Sequence, residues 1–434
     1  MRRKSLLALL LVLSMALSGC ALVVKDEAVD AATEIIRLGD QVVTKGEIQQ
    51  QVNYQLVQMY NLYQQYGLSY DVTDSSNVET IQQYVIENYE NELVSHQKIS
   101  ELGLDNLTEE EEAHIQADAE SIYSSYLEDY IASYMSDSEL TGDELTAQAQ
   151  EELTKLGYTM EEAQEEARED FLSEKLRAEV IKDVTVTDEE IRSEYDTRVA
   201  TAQSSYEGNA AAYTTSFNNG TSPLYWAPEG VRLIKQILIQ YSDDQSAAIT
   251  DAQGDVAAAQ AILDSETATE EEKATAQVDL EAAQAVLDTV TDAAFASIDE
   301  EADAVLADLE AGADWETEMA AKTQDPGMQA GAATAETGYA VSADMTSFDP
   351  AFVEAAMALA NVGDISGKVR GSAYGYYILK YVGDVTSGAI DYDSVKDTIS
   401  ASLLSTKQST YYSETVQSWM DAADFKVDTA SLNN

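Results

Sequence analysis

Two polar side chains that could form a hydrogen-bonding floor lie inside otherwise apolar runs of this sequence. Gln236 lies within residues 231–239, and Tyr377 lies within residues 374–380. Each run predicts a buried strand, and the helical and turn pattern between them would let the two strands pair. The carboxamide and the phenol can each donate and accept hydrogen bonds. We therefore expect a polar site on the sheet that these strands form.

Other kinds of chemistry find little support in the sequence. No nucleophilic triad and no phosphate-binding loop is present. His96 and His114 are the two histidines of the chain, and both lie on polar faces of predicted helices. We therefore predict no metal site and no cofactor.

The N-terminus has the pattern of an export signal. Three basic residues at positions 2–4 precede an apolar run over residues 6–17, and the sequence Leu17-Ser-Gly-Cys20 follows. The run is too short to span a bilayer, which takes about 20 apolar residues. Leu-Ser-Gly-Cys is typical of a bacterial lipobox, and Cys20 is the single cysteine of the chain. We predict lipidation at Cys20 and anchoring outside the cytoplasm; an ordinary signal with an incidental cysteine is the alternative.

The charge of the chain restricts its partners. The formal net charge is −56 over 434 residues. Such an acidic protein is repelled by nucleic acids and by anionic lipid surfaces. We therefore exclude nucleic-acid binding, and solubility at an exposed surface is the simplest reason for the charge.

The first half of the chain is predicted to be helical. A strand-turn-strand near residues 35–44 precedes amphipathic helices, of which later ones fall at about 77–102, 108–135, 141–155 and 159–182. Thr44, Thr108 and Thr159 each precede an acidic residue by three positions, as helix N-caps do. Residues 208–230 are rich in Gly, Asn, Ser and Thr, which favours a linker.

Tyrosine is unusually frequent in the chain, with 25 tyrosines against 6 phenylalanines. Tyrosine combines a broad apolar face with a polar tip, which suits adaptable surfaces that bind varied partners. The alternative is the half-buried core and rim of a helical domain.

An Ala-rich segment, residues 246–297, predicts a helical hairpin after the strand that carries Gln236. Thr269 is the predicted cap of its second helix. The hairpin could bind client chains, mediate dimerisation, or be a neutral surface insertion.

Several ordered motifs give the chain a resemblance to known proteins. The two strands resemble the first and last strands of parvulin-type peptidyl-prolyl isomerases, and Gln236 and Tyr377 replace the histidines usual in that family. Gln324-Asp-Pro-Gly327, Phe352-Val-Glu-Ala-Ala-Met-Ala-Leu359 and Val362-Gly-Asp-Ile-Ser-Gly-Lys-Val369 are similar to further parvulin motifs. Gly39-Asp-Gln-Val-Val-Thr-Lys-Gly-Glu47 resembles the start of the chaperone domain in SurA-like and PrsA-like foldases.

The resemblance implies a site for a prolyl peptide. Phe352 and Met345 would line the slot for the proline ring, with Phe348 as the alternative to Met345. Gln236 and Tyr377 would form the polar floor, and Glu336 would occupy the acidic position.

The resemblance also implies an α+β architecture: a mainly helical SurA-like chaperone domain with an inserted parvulin-like domain, made of a small antiparallel sheet with helices. We predict a signal peptide at 1–19, a lipidated tether at 20–35 and a chaperone N-region at 36–225. A parvulin-like domain would follow at 226–387, carrying the hairpin at about 246–297. A C-terminal helix within 388–434 would complete the chaperone domain.

The function implied is that of a lipid-anchored, extracytoplasmic bacterial foldase that assists exported proteins and isomerises prolyl bonds. Its partners would be unfolded or partly folded exported chains, and it could form a homodimer. The alternative is a non-catalytic holdase or surface-binding lipoprotein with a degenerate parvulin domain.

Overall fold

The protein has an α+β fold in which helices dominate and the sheets are small and antiparallel. The structure, a computed structural model, describes residues 27–433. The predicted signal peptide and Cys20 lie outside the described residues. None of the helices in 27–433 combines the length and the apolar character needed to cross a membrane.

The helices, in chain order, are α1 Glu27–Ala31, α2 Lys45–Gln65, α3 Ser75–Glu101, α4 Glu109–Tyr134, α5 Asp143–Lys155, α6 Met160–Ile181, α7 Asp188–Tyr206, α8 Ala210–Asn218, α9 Asp243–Asp264, α10 Glu270–Glu310, α11 Trp315–Lys322, α12 Ala333–Thr337, α13 Pro350–Ala358 and α14 Tyr392–Ala422. The strands are β1 Glu34–Leu38, β2 Gln41–Thr44, β3 Trp226–Ala227, β4 Arg232–Gln240, β5 Tyr339–Val341, β6 Val369–Arg370, β7 Gly375–Asp384, β8 Gly388–Ala389 and β9 Lys426–Val427.

The described chain divides into two compact units. We call residues 27–185 with 404–433 the split unit, and residues 186–403 the central unit. Helix α14 contributes its first turns to the central unit and the rest to the split unit. The domain boundaries at 225/226 and 387/388 remain predictions.

Capping explains why the helices begin where they do. Thr44 and Thr108 each form a capping box with the glutamate three residues later, and Thr269 does the same at the start of α10. Each box satisfies two backbone N–H groups that the first helical turn leaves without partners. Thr159 caps α6 by accepting a hydrogen bond from the Glu162 N–H. These predicted helix starts are confirmed.

The core of the split unit joins the two ends of the chain. Ile35 and Ile36 of β1 pack with Ile48 of α2 and Val85 of α3. Residues close to the C-terminus, Trp419, Phe425 and Leu432, pack into this same cluster. Strand β9 pairs with β1, which gives the sheet order β2-β1-β9. The C-terminal segment therefore completes the core of the split unit.

The central unit is built on a four-stranded antiparallel sheet of order β5-β4-β7-β6. Strands β4 and β7 are neighbours, as the sequence predicted. Gln236 pairs with Leu379 and Leu238 pairs with Tyr377. Side chains alternate between the two faces of a sheet, and paired residues share a face. Gln236 and Leu238 therefore lie on the same face, and so does Tyr377, the partner of Leu238.

The opposite face of this sheet is covered by α10 and α11. Ile237 and Ile239 pack there against Phe295 of α10 and Trp315 of α11. Helix α10 is 41 residues long, so the second arm of the predicted hairpin continues without a break into the helix over the sheet. Lys368 lies 2.6 Å from carboxylate oxygens of both Asp299 and Asp303 on α10. The end of the second arm of the hairpin, around Phe295, is therefore part of the core of the central unit.

The composition of residues 208–230 favoured a linker, and that prediction is wrong for its first half. Residues 210–218 form helix α8, which Asn209 caps. Tyr213 of this helix is buried with Ala227 and Ala340. Small and hydroxylated residues can form a helix when one face of it is buried, since tertiary packing overrides weak intrinsic propensity.

Candidate functional site

A pocket of about 360 Å³ opens on the face of the sheet that carries Gln236 and Tyr377. Strands β4 and β7 form its floor, and the start of α13 and the Asp325–Pro326 turn form walls. The volume falls within the range of small-ligand sites in proteins. None of the residues that line it comes from 246–297, so the hairpin leaves the pocket open.

A chain of aromatic rings forms the apolar side of the pocket. Phe348 packs edge-on against Tyr339 and against Phe352, with ring centroids 5.2 and 5.4 Å apart. Phe352 in turn meets Tyr377 edge-on at 5.5 Å. Edge-to-face pairs are favourable contacts with a defined geometry, so the shape of this wall is set by mutual packing.

Asp325 organises one end of the polar floor. Its carboxylate accepts hydrogen bonds from Gln236 Nε2 at 2.7 Å and from the Tyr339 hydroxyl at 3.0 Å. It also accepts one from the Gly327 N–H at 3.0 Å, which closes a 3₁₀ turn over Pro326–Met328. Burial raises the pKa of Tyr339, and the negative charge of Asp325 raises it further. The phenol therefore stays protonated and donates to Asp325.

Gln236 is 7% exposed, and of its carboxamide only the nitrogen makes a hydrogen bond to the described residues. While Nε2 donates to Asp325, Oε1 is buried with no hydrogen-bond donor among the described residues. A buried acceptor without a partner costs about 1–3 kcal/mol. The floor of the pocket thus retains one unused acceptor.

Asp349 organises the other end of the floor. It caps α13 by accepting from the Ala351 N–H at 3.0 Å. Its second oxygen accepts from the Tyr377 hydroxyl at 3.2 Å and from Ser372 Oγ at 2.9 Å. Burial raises the pKa of Tyr377, and the negative charge of Asp349 raises it further. This hydroxyl therefore also stays protonated and donates to Asp349.

The structure places four of the six predicted site residues around the pocket: Gln236, Phe348, Phe352 and Tyr377. Met345 is buried beside Phe352 in the core cluster and is not among the lining residues. Glu336 is exposed on α12, outside the pocket. The carboxylate next to Gln236 belongs to Asp325.

Asp325, Asp349 and Tyr339 were not identified from the sequence. Both aspartates precede a proline and both cap a helical turn through their own side chains. An Asp-Pro pair that opens a turn between buried segments is the signal that could have pointed to them.

Away from the pocket, the split unit brings together a histidine and two carboxylates. Glu92 and His96 lie one turn apart on α3, and Glu169 belongs to α6. Their potential ligand atoms lie within 4.8 Å of one another. Among the described residues this is the group whose side chains could contribute three ligands to one metal ion.

Comparison with known proteins gives one match along nearly the whole sequence. The chain is 22% identical over 409 residues to the foldase protein PrsA of Clostridium acetobutylicum, which covers 94% of this chain and 91% of that protein. The chain is thus similar to a PrsA foldase along nearly its whole length. The order of the motifs in the sequence agrees with this similarity. No protein-family model matches the chain.

Solved structures of similar proteins are more distant. A foldase protein PrsA from Streptococcus pneumoniae is 13% identical, with a TM-score of 0.27 and coverage of 93% of this chain and 98% of that one. A SurA-like chaperone from Campylobacter jejuni is 15% identical, with a TM-score of 0.27 and coverage of 70% and 94%. These low scores add no argument to that of the sequence alignment.

Proposed function

We propose that this protein is a membrane-anchored, extracytoplasmic foldase that assists the folding of exported proteins, and that its central unit is a parvulin-type peptidyl-prolyl cis-trans isomerase. The alignment with a PrsA foldase supports the general role. The observation that supports the isomerase is the open pocket on the sheet, with aromatic walls and a floor of hydrogen-bonding groups.

The pocket has the properties that prolyl isomerisation requires. Rotation about the amide bond crosses a barrier of about 18–20 kcal/mol, set by amide resonance. Phe348, Phe352 and Leu238 would hold the proline ring in an apolar slot, away from water. The hydroxyls of Tyr339 and Tyr377 donate their hydrogens to the two aspartates and keep acceptor oxygens, while Gln236 Nε2 has a second N–H that can donate to the twisted amide.

The replacement of histidine by Gln236 and Tyr377 is compatible with this mechanism. Amide rotation transfers no proton, so the site needs hydrogen bonds and shape, and a titrating base is not required. In this protein the two side chains do not bond to each other. Each is oriented by its own carboxylate, Asp325 for Gln236 and Asp349 for Tyr377.

The helical part of the chain would bind client segments. The end of α2 and the loop after it expose Tyr66 and Leu68, which are 72% and 57% accessible. Tyr60 of α2 and Tyr84 of α3 are also exposed. Apolar side chains with polar tips can contact many different unfolded sequences, which suits a chaperone.

Anchoring would come from diacylation of Cys20 after removal of residues 1–19. Two acyl chains give stable attachment, where one gives only reversible binding. Incorporation of labelled palmitate should require Cys20, and Cys20→Ser should release the protein from membranes. Continued membrane retention of this variant without label would contradict the lipid anchor.

A matched pair of substitutions tests the isomerase. Phe352 lines the pocket and is 2% exposed, whereas Phe295 lies on the other face of the sheet and is 4% exposed. In a protease-coupled assay with a prolyl peptide, we expect Phe352→Ala to abolish the rate and Phe295→Ala to retain most of it in the folded fraction. Equal rates for the two variants would contradict a role for the pocket.

The second candidate is a non-catalytic holdase. The observation that favours it is the hydrogen bond from Gln236 Nε2 to Asp325, which commits one of the two N–H groups of this amide to the protein rather than to a substrate. A holdase would suppress aggregation of an unfolded client equally well with and without Phe352→Ala, and would show no isomerase rate in either form. A measurable rate in the unsubstituted protein would exclude this alternative.

A further inference from the structure

All the charged groups that line the pocket have the same sign. Asp325 and Asp349 are the two charged side chains among its twelve lining residues, and the others are apolar, aromatic or neutral polar. The chain as a whole carries a formal charge of −56, which adds a field of the same sign. The pocket therefore has a negative potential that no lining cation offsets.

The donors that meet these carboxylates are also neutral. Asp325 receives an amide, a phenol and a backbone N–H. Asp349 receives two hydroxyls and two backbone N–H groups, those of Ala351 and Ser372. Neutral donors orient a carboxylate but leave its net charge in place. Gln236 Oε1 is a further acceptor of the floor and has no donor among residues 27–433.

Asp349 is placed so that a ligand in the aromatic slot would meet it. It is half-buried, whereas Asp325 is 8% exposed. Asp349 and Phe352 lie three residues apart at the start of α13, a spacing that brings side chains within about 5–6 Å of each other. Tyr377 touches both, at 3.2 Å from the carboxylate and 5.5 Å between ring centroids.

We propose that the pocket selects prolyl segments in which the residue before proline is lysine or arginine, and that Asp349 is the residue that recognises this cation. The inference rests on the proposed function. Consecutive Cα atoms are about 3.8 Å apart, so a long basic side chain next to a seated proline can span the distance from the slot to Asp349. Attraction at this range should survive partial screening by water.

The substitution Asp349→Asn tests the negative charge of this side chain. Asn caps helices about as well as Asp, so its Oδ1 can keep the bond from the Ala351 N–H, while its Nδ2 can donate to the hydroxyl oxygens of Tyr377 and Ser372. Asp349→Asn should therefore keep the cap of α13 and remove the negative charge of the side chain. Glu354→Gln is the matched control, because Glu354 is an exposed acid on the same helix that does not line the pocket.

The test measures binding of three peptides, Ala-Xaa-Pro-Phe with Xaa as lysine, norleucine or glutamate, to the full chain by NMR titration. Norleucine has the length of lysine without its charge. We expect lysine to bind about five- to tenfold more tightly than norleucine at about 20 mM salt, and this preference to shrink at about 500 mM. Glutamate should bind most weakly.

The outcomes separate this inference from the function on which it rests. The lysine preference should disappear in Asp349→Asn and persist in Glu354→Gln. Equal affinities for lysine and norleucine would overturn the selectivity and leave the foldase proposal standing. A preference that survives in Asp349→Asn would overturn the role of Asp349. Absence of binding for every peptide, with no isomerisation, would overturn both proposals.

Discussion

Replacement of Asp325 should destabilise the central unit strongly, because this carboxylate satisfies three donors in a buried setting. Asp325→Ala leaves the amide of Gln236 and the hydroxyl of Tyr339 without an acceptor. An unsatisfied buried donor costs about 1–3 kcal/mol, and hydrogen bonds to charged groups contribute about 1.5–3 kcal/mol. The relief from burying a charge offsets part of this. We expect a loss of about 3 kcal/mol in the free energy of unfolding.

Asp325→Asn should cost less, about 1 kcal/mol. If the Gln236 carboxamide turns over, its Oε1 can accept from the new amide, and this oxygen has no donor in the unsubstituted protein among residues 27–433. Glu336→Ala is the control, since Glu336 is exposed. It should change stability by less than about 0.5 kcal/mol.

Native-state hydrogen exchange of the β4 and β7 amides is the appropriate assay, since these strands report the opening of the central unit. A loss of about 3 kcal/mol corresponds to exchange faster by about a hundredfold. An acceleration below about threefold in Asp325→Ala would refute the reasoning, as would an equal effect of Glu336→Ala.

Three further predictions concern single features. Gly375 has φ +149°, and an added Cβ would lie 2.0 Å from a backbone carbonyl oxygen of β4. Gly375→Ala should therefore lower the free energy of unfolding, measured with urea, by about 2–4 kcal/mol. Gly383→Ala is the control, because a Cβ there would lie in open space on the same strand, and it should cause no such loss. Thr269→Ala should cost about 1 kcal/mol and speed exchange at the start of α10 while leaving the sheet unchanged; uniform acceleration would contradict local capping. The Lys175 ammonium, with the Thr108 backbone N–H, lowers the pKa of Glu111 to about 2. Since the pKa of Glu111 is lower in the folded state, the contact stabilises the fold above about pH 4.3, and this stabilisation is lost as the pH falls toward 2. NMR titration should show a higher pKa of Glu111 in Lys175→Met. An ordinary pKa of Glu111 in the unsubstituted protein would contradict the contact.

Local signals in the sequence were sufficient to predict most helices and the two central strands. Caps such as Thr108 with Glu111 specify a helix start within a few residues, so the prediction needs no tertiary information. The apolar runs around Gln236 and Tyr377 likewise specified strands that pair. The same reasoning missed α8, because its stability comes from burial of Tyr213 rather than from the propensity of its residues.

The polar part of the candidate site depended on contacts that sequence patterns do not contain. Gln236 and Asp325 are 89 positions apart. The resemblance to parvulins suggested Glu336 from its place in a motif, while the acid that reaches the floor comes from the preceding turn. Motif position does not determine which way a short loop directs its carboxylate. Phe348 and Phe352 were identified from the resemblance to parvulins, and both line the pocket.

The central claim is that the central unit catalyses rotation about prolyl bonds, and exchange NMR tests it most directly. Uncatalysed isomerisation takes tens to hundreds of seconds. With the full chain present in catalytic amounts, we predict that cis and trans signals of a prolyl peptide exchange measurably faster, and that Phe352→Ala abolishes the effect. An exchange rate that stays at the uncatalysed value, even when the peptide is bound, would contradict the isomerase and leave the holdase.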